Sequence, residues 1–141
     1  MTLFKKCVAL FCKMVAAFAV TYMVLVLGYV WWHCYKSPFQ DGSNGKLDAY
    51  RHTFASAVVT YTTSPKVVRL VTVLMERKNR AANLMDQHNN AIGIHIGAHV
   101  KTLDEIDPLV VAQIENGTVN ATDKMQTTWL PPQYWSHGFF W

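Results

Sequence analysis

Nineteen consecutive residues without a charge, Met14 to Trp32 (MVAAFAVTYMVLVLGYVWW), constrain this chain more than any other stretch. As a helix, at about 1.5 Å per residue, the run covers about 28 Å, close to the ~30 Å hydrocarbon core of a bilayer. Lys5, Lys6 and Lys13 precede it and Lys36 follows. The positive-inside rule then puts the N-terminus in the cytoplasm and the rest of the chain across the membrane, in the periplasm of a Gram-negative cell. Trp31, Trp32 and Tyr35 suit the far aromatic belt, and Lys13 can snorkel to the near headgroups. A cleaved signal peptide needs a shorter apolar core and a small-residue cleavage site, which Tyr29-Val30-Trp31-Trp32-His33 does not offer. The reading is an uncleaved, single-pass signal anchor. Residues 1–13 are expected in the cytoplasm, 14–32 in the bilayer, 33–45 as a linker and 46–141 as an extracytoplasmic helical domain.

The composition bounds the rest. Only 16% of residues are charged, against about a quarter in soluble domains, and much of the apolar excess sits in the anchor. The net charge of +4 is spread along the chain without a Lys/Arg run, so no nucleic-acid partner is expected. Three cysteines, Cys7, Cys12 and Cys34, build no disulfide framework. Cys34 is either a spectator or a cross-link between two copies in an oxidising compartment. Ser37 to Gly45 reads as a linker, punctuated by Pro38, Gly42, Ser43, Asn44 and Gly45.

A helix is expected from Lys46 to about Tyr61, with Asp48 in its first turn, where the helix dipole favours a carboxylate. Asp48 and His52 are four apart and share a face, with Arg51 beside them. That spacing lets a carboxylate orient an imidazole for general-base work, or places two metal ligands on one helix. The plain alternative is a capping Asp with a structural His. Ser64-Pro65 opens a second helix to about Lys78, apolar over more than one face and expected to be the most buried of the domain. A third helix begins near Ala81. On it Asp86, Asn90 and Gly93 form one stripe with Asn89 at its edge. His88 lies about 200° round from Asp86, so the two cannot easily face one atom. Asp86 with Asn89 and Asn90 is the favoured set. Adjacent asparagines in mid-helix are unfavourable by propensity and need partners if buried; Asp48, Arg51 and His52 would supply them. The alternative is a polar network that sets helix register and does no chemistry.

Asp48-Ala49-x-Arg51-His52 followed by Met85-Asp86-x-His88-Asn89-Asn90-x-x-Gly93 resembles an uncharacterised family of small helical bacterial and phage domains. These often stand at the C-terminal end of polymorphic-toxin or cell-surface proteins. The resemblance covers about Leu47 to Gly117 and implies a helical domain with a polar interior site suited to hydrolysis. Members often carry a His-Glu pair upstream of the second motif. Here that place reads Met75-Glu76, which removes one ligand of a three-histidine metal site.

Further on, His95 and His99 make an HxxxH pair without a fixed third ligand. Thr102-Leu103-Asp104-Glu105 reads as a capping box for a helix to about Asn116, with Gly117 as its stop. Asn116-Gly117-Thr118 and Asn120-Ala121-Thr122 match the glycosylation pattern but are coincidental in a bacterial protein. The tail from Trp129 to Trp141, with two prolines and six aromatics, packs on the domain or dips into the membrane interface.

The expected architecture is all-α: one transmembrane helix, then a bundle of about four helices and an aromatic tail. The expected function is a cell-envelope hydrolase. His52 acts as base, Asp48 or Asp86 orients it, and Arg51, Asn89 and Asn90 hold an anionic group or oxyanion. Location points to phospholipid or peptidoglycan as substrate, and no cofactor or metal is specified. The competing reading is a non-enzymatic membrane protein, an immunity, exclusion or assembly factor, in which these residues lock the fold.

Overall fold

The computed structural model describes residues 3–75 and 80–136. Among them the protein is all-α, with α1 (Leu3–Lys36), α2 (Lys46–Thr62), α3 (Pro65–Met75), α4 (Ala81–His99) and α5 (Ile106–Glu115). A one-turn 3-10 helix, Leu103–Glu105, leads into α5. Two-residue strands, β1 (Thr118–Val119) and β2 (Thr128–Trp129), pair in parallel.

The apolar N-terminal run becomes a 34-residue helix, about 51 Å long at 1.5 Å per residue and therefore longer than a bilayer core. Burial divides it. Phe4 to Thr21 is exposed throughout. From Tyr22 onward a stripe at helical spacing turns inward: Tyr22, Val26, Tyr29, Val30, His33 and Cys34. This stripe meets α2, which runs antiparallel to α1. His33 stacks on Phe54 at 4.6 Å between ring centroids, and Tyr22 and Thr62 share a 2.7 Å hydrogen bond near the other end of α2. Phe54 stacks in turn on Tyr50, whose hydroxyl donates to Asp107 of α5. Burial, and then that hydrogen bond, push the Tyr50 phenol up from its ordinary value. The uncharged run is thus exposed over its first part and joins the domain core through one stripe from Tyr22 onward.

Cys34 is one of the core residues, at 1% exposure. A disulfide between two copies through Cys34 would require opening the core, so that expectation does not hold in this fold.

The centre of the domain is α2, not α3. Ten of its residues are buried, including Ala49, Tyr50, Phe54 and Ala57. Only Val68 of α3 is buried, while Val67, Leu70, Val71, Leu74 and Met75 are exposed. The expectation of a buried second helix failed for a physical reason. Apolar residues on every face mark either a core helix or one that meets something outside the chain, and sequence alone does not separate the two. Its expected end at Lys78 and the charged exit from Glu76 to Asn79 lie outside the described residues.

Parallel to α2 runs α4, close enough that two positions admit only glycine. A Cβ at Gly93 would lie 2.2 Å from the Thr53 carbonyl oxygen, and one at Gly97 the same distance from that of Ala57. Small residues spaced by four let helix backbones approach in this way. Gly93 lies on the stripe expected to face α2, where a glycine allows close backbone approach, and Gly97 extends that contact by one turn. The tail packs on the domain through Ser136. Trp129 and Leu130 are buried, the Leu130 N–H donates to the Asn44 carbonyl and the Trp135 indole to that of Leu130. The expected capping box does not form. Thr102 makes no side-chain cap, and Glu105 accepts from the N–H of Lys101.

Gly93→Ala is expected to lower stability by about 1–3 kcal/mol, because a backbone must move to admit the methyl. Gly28→Ala, where nothing lies within 4 Å of the new atom, should shift it by no more than ~0.5 kcal/mol. Thermal unfolding of both variants checks the pair.

Candidate functional site

The close approach of α2 and α4 brings the two polar clusters face to face. Asp48, Arg51 and His52 lie on the first turns of α2, and Asp86 and Asn90 project from α4. His52 Nε2 is 3.5 Å from Asp48 Oδ1 and 3.4 Å from Asp86 Oδ1. On the other side of the ring, Nδ1 lies 3.4 Å from Asn90 Oδ1, a long contact in which the amide oxygen can only accept. The amide oxygen favours a proton on Nδ1 and the two carboxylates favour one on Nε2, so both ring nitrogens face acceptors. Arg51 pairs with Asp48 Oδ1, and Asp48 Oδ2 accepts the Asn44 N–H at 2.6 Å. The conformation that aims this N–H is left-handed, with φ 67° at Asn44, a position asparagine tolerates.

Burial grades across the group. Asp48 is nearly enclosed at 6% side-chain exposure, Asp86 less so at 15%, and His52 is open at 22%. His52 also lines a cavity of about 290 Å³ between α2 and α3, walled by Ala55, Val59, Val68, Val71 and Met75. Its polar rim is Ser56, Thr72 and Asn90. Ser56 donates to Asn90 Oδ1 at 2.8 Å, and the Asn90 amide donates to Thr72 Oγ1 at 3.1 Å. This chain of bonds ties α2, α4 and α3 together. Since the Thr72 oxygen accepts from Asn90, its own proton remains to be donated into the cleft.

Asp48, Arg51, His52, Asp86 and Asn90 therefore meet. Asn89 does not join them. It is fully buried and clamps the β2 backbone, accepting the Thr128 N–H at 3.0 Å and donating to the Thr128 carbonyl at 2.8 Å. His88 also points away and donates from Nε2 to the Gln126 carbonyl, as its angle from Asp86 requires. His99 spends Nδ1 on the His95 carbonyl, and that pair stands apart from the cluster. Sequence reasoning missed Ser56 and Thr72. Their one signal is a hydroxyl on an otherwise apolar helix face, which is common and weak.

Asp48, His52 and Asp86 are, among the described residues, a set whose ligand atoms lie close enough to hold a metal ion, all within 4.8 Å of one another. The 3.4 and 3.5 Å separations approximate the edge of a tetrahedron with bonds of about 2.1 Å. Two facts weigh against a dication. Both oxygens of Asp48 already accept, one from Arg51 and one from Asn44. The charge is also partly met without it, because Arg51 offsets one of the two carboxylates and a proton on His52 would offset the other.

A family model described as Domain of unknown function (DUF6973) matches residues 32–122. The match takes in α2 to α5 and every residue of the cluster, and leaves out most of α1 and the C-terminal tail. No curated protein and no solved structure matches the chain.

Two outcomes are expected. Asn89→Ala strands two buried backbone groups of Thr128 and should cost about 2–4 kcal/mol, read by denaturant unfolding. Saturating Zn²⁺ or Ca²⁺ should raise the melting temperature by no more than about 1 °C. A rise of several degrees that Asp86→Asn abolishes would put a metal in the site.

Proposed function

The chain belongs to that family of unknown function, and we propose that it is a membrane-anchored hydrolytic domain with His52 as general base. One observation carries the reading. His52 presents one face to two carboxylates and lines an open, mostly apolar cleft, whereas a purely structural lock needs no cavity at the imidazole. In this mechanism the His52 ring turns an unprotonated nitrogen away from its acceptors into the cleft that it lines, and takes a proton from water. The water oxygen bonds to an acyl carbon or a phosphorus in the cleft. The imidazolium so formed brings the cluster to neutrality, two carboxylates against Arg51 and His52. It then returns the proton to the leaving oxygen as that bond breaks. Asp48 is a positioning residue, fixed by Arg51 and the Asn44 N–H. Asp86 stabilises the imidazolium, and Thr72 donates to the developing oxyanion. Asn89, whose side chain is spent on the Thr128 backbone, has no part in this mechanism.

The anchor belongs to the same proposal. Helix α1 is long and apolar enough to cross a membrane. We assign its N-terminal side to the cytoplasm and the domain to the outer side, on the charges that flank the uncharged run. A second reading rests on the Ser56–Asn90–Thr72 chain, which ties three helices together and would suit a non-enzymatic membrane protein.

Hydrolysis of phosphatidylglycerol vesicles and of peptidoglycan by the full chain separates the two readings. His52→Ala and Asp86→Asn are expected to lower turnover of the responding substrate by about 10²–10⁴-fold while melting within a few degrees of the wild type. Variants that melt far lower, in a wild-type chain that turns over neither substrate, would establish the structural role.

A further inference from the structure

The cleft beside His52 and the exposed face of α3 carry one inference beyond hydrolysis as such. It rests on the anchor reading and names the substrate class of the same site. We propose that α3 lies against the outer leaflet of the bilayer that α1 crosses, and that the cleft takes an acyl chain of a phospholipid directly from that leaflet.

The argument starts from depth. The Tyr22–Thr62 hydrogen bond holds the C-terminal end of α2 beside Tyr22, ten residues before Trp32 and so about 15 Å below it along α1. Helix α3 starts at Pro65, three residues after Thr62, and turns back along α2, since Val68, Val71, Thr72 and Met75 line one cavity with Val59, Ser56 and His52. The guanidinium of Arg51, the neighbour of His52, lies 5.6 Å from the Trp31 ring. Thus α3 covers the same depth as the stretch from Tyr22 to Trp32. Its foot is inside the uncharged run, and the imidazole stands at the level of the Trp31–Trp32 belt, where headgroups begin.

The surface of α3 fits that place. Val67, Leu70 and Leu74 form an outward apolar strip, with Val71 between it and the cleft, and Leu70 is 61% exposed. At the same depth α1 exposes Met23, Val24, Leu25 and Leu27. One apolar surface therefore continues from a membrane-spanning helix onto the domain, and a bilayer covers both. Lys66 is long enough to snorkel. Lys101, whose carbonyl accepts from Tyr61, lies at the same depth and is exposed with Asp104 and Glu105, so the α4–α5 side of the domain must face water and lipid contact is confined to the α3 flank. The cleft opens between α2 and α3 with apolar walls, and its polar end holds His52, Ser56, Thr72 and Asn90. A phospholipid matches both ends, with an acyl chain along Val59, Val68, Val71 and Met75 and its ester linkage at the imidazole. Peptidoglycan, a polar polymer, matches neither the walls nor the depth.

The test uses the full chain with Cys7→Ser and Cys12→Ser, in vesicles of phosphatidylcholine and phosphatidylglycerol. An environment-sensitive fluorophore is placed in turn at Leu70→Cys on α3, Leu25→Cys on α1 and Lys124→Cys on the far side. Expected is quenching of the first two by doxyl groups on the acyl chains, and of the third by aqueous iodide. A Leu70 probe in water with a Leu25 probe in lipid overturns the docking and leaves the anchor standing. Both in water overturns the anchor and the docking together. A phosphatidylglycerol with a photoactivatable acyl chain then reports on the cleft. Cross-links are expected on residues 55–59 and 65–75, at least fivefold fewer in Val71→Trp, whose half-exposed position admits the ring without entering the core. Cross-links confined to α1, or unaffected by Val71→Trp, overturn the acyl site. The cross-link does not depend on turnover, so a lipid seated without hydrolysis would sink the general-base reading and spare this one.

Discussion

Everything polar in this domain depends on how closely α2 and α4 approach. Thr53, Ser56 and Ala57 on one helix leave a flat strip, and Gly93 and Gly97 on the other let the backbone down onto it. Ordinary residues at the glycines would hold the helices farther apart by the depth of a side chain. His52 would then lose Asp86 and Asn90, both of which it reaches only at 3.4 Å. The helices are parallel, so each motif meets its counterpart near the start of its own helix. The burial of Ser56 and Asn90 is affordable because each finds its partner across the same contact.

A second constraint comes from α1. Its C-terminal third gives the core Val30 and Cys34 and stacks His33 on Phe54, so the domain and the long apolar helix are one packed unit. An anchor joined by a loose linker would leave the domain free to face any direction. Here the aromatic stack and the Tyr22–Thr62 bond fix α2, and with it the mouth of the cleft, relative to α1, a helix long and apolar enough to cross a bilayer. The direction in which the cleft faces relative to α1 is thus a property of the fold.

Each of the two polar motifs splits between site and scaffold. Asp86 and Asn90 are four apart and share a face, and both reach His52. Asn89 and His88, between them in sequence, point elsewhere and hold the Thr128 and Gln126 backbone. Their work is to seat the segment after α5 on α4. A motif that looks like one constellation in sequence therefore holds two, separated by rotation about the helix axis.

The sequence by itself determined the helical class, the length and polarity of the N-terminal run, the bounds of α2 to within a residue, and the pairing of Asp48 with His52, because each follows from local spacing along one helix. It also showed that Asp86 and His88 cannot share a target, which is a matter of helical angle alone. The tertiary structure decided what depends on contact between elements. It made α2 rather than α3 the centre, since hydrophobicity records that a face avoids water but not what covers it. It buried Cys34, since a residue just past an apolar run is exposed or enclosed according to what packs beside it. It carried the close approach that Gly93 allows on to Gly97 and set its depth, since how near two backbones come depends on both helices. And it took Asn89 out of that site, because a hydrogen-bond partner thirty-nine residues away leaves no trace in local pattern.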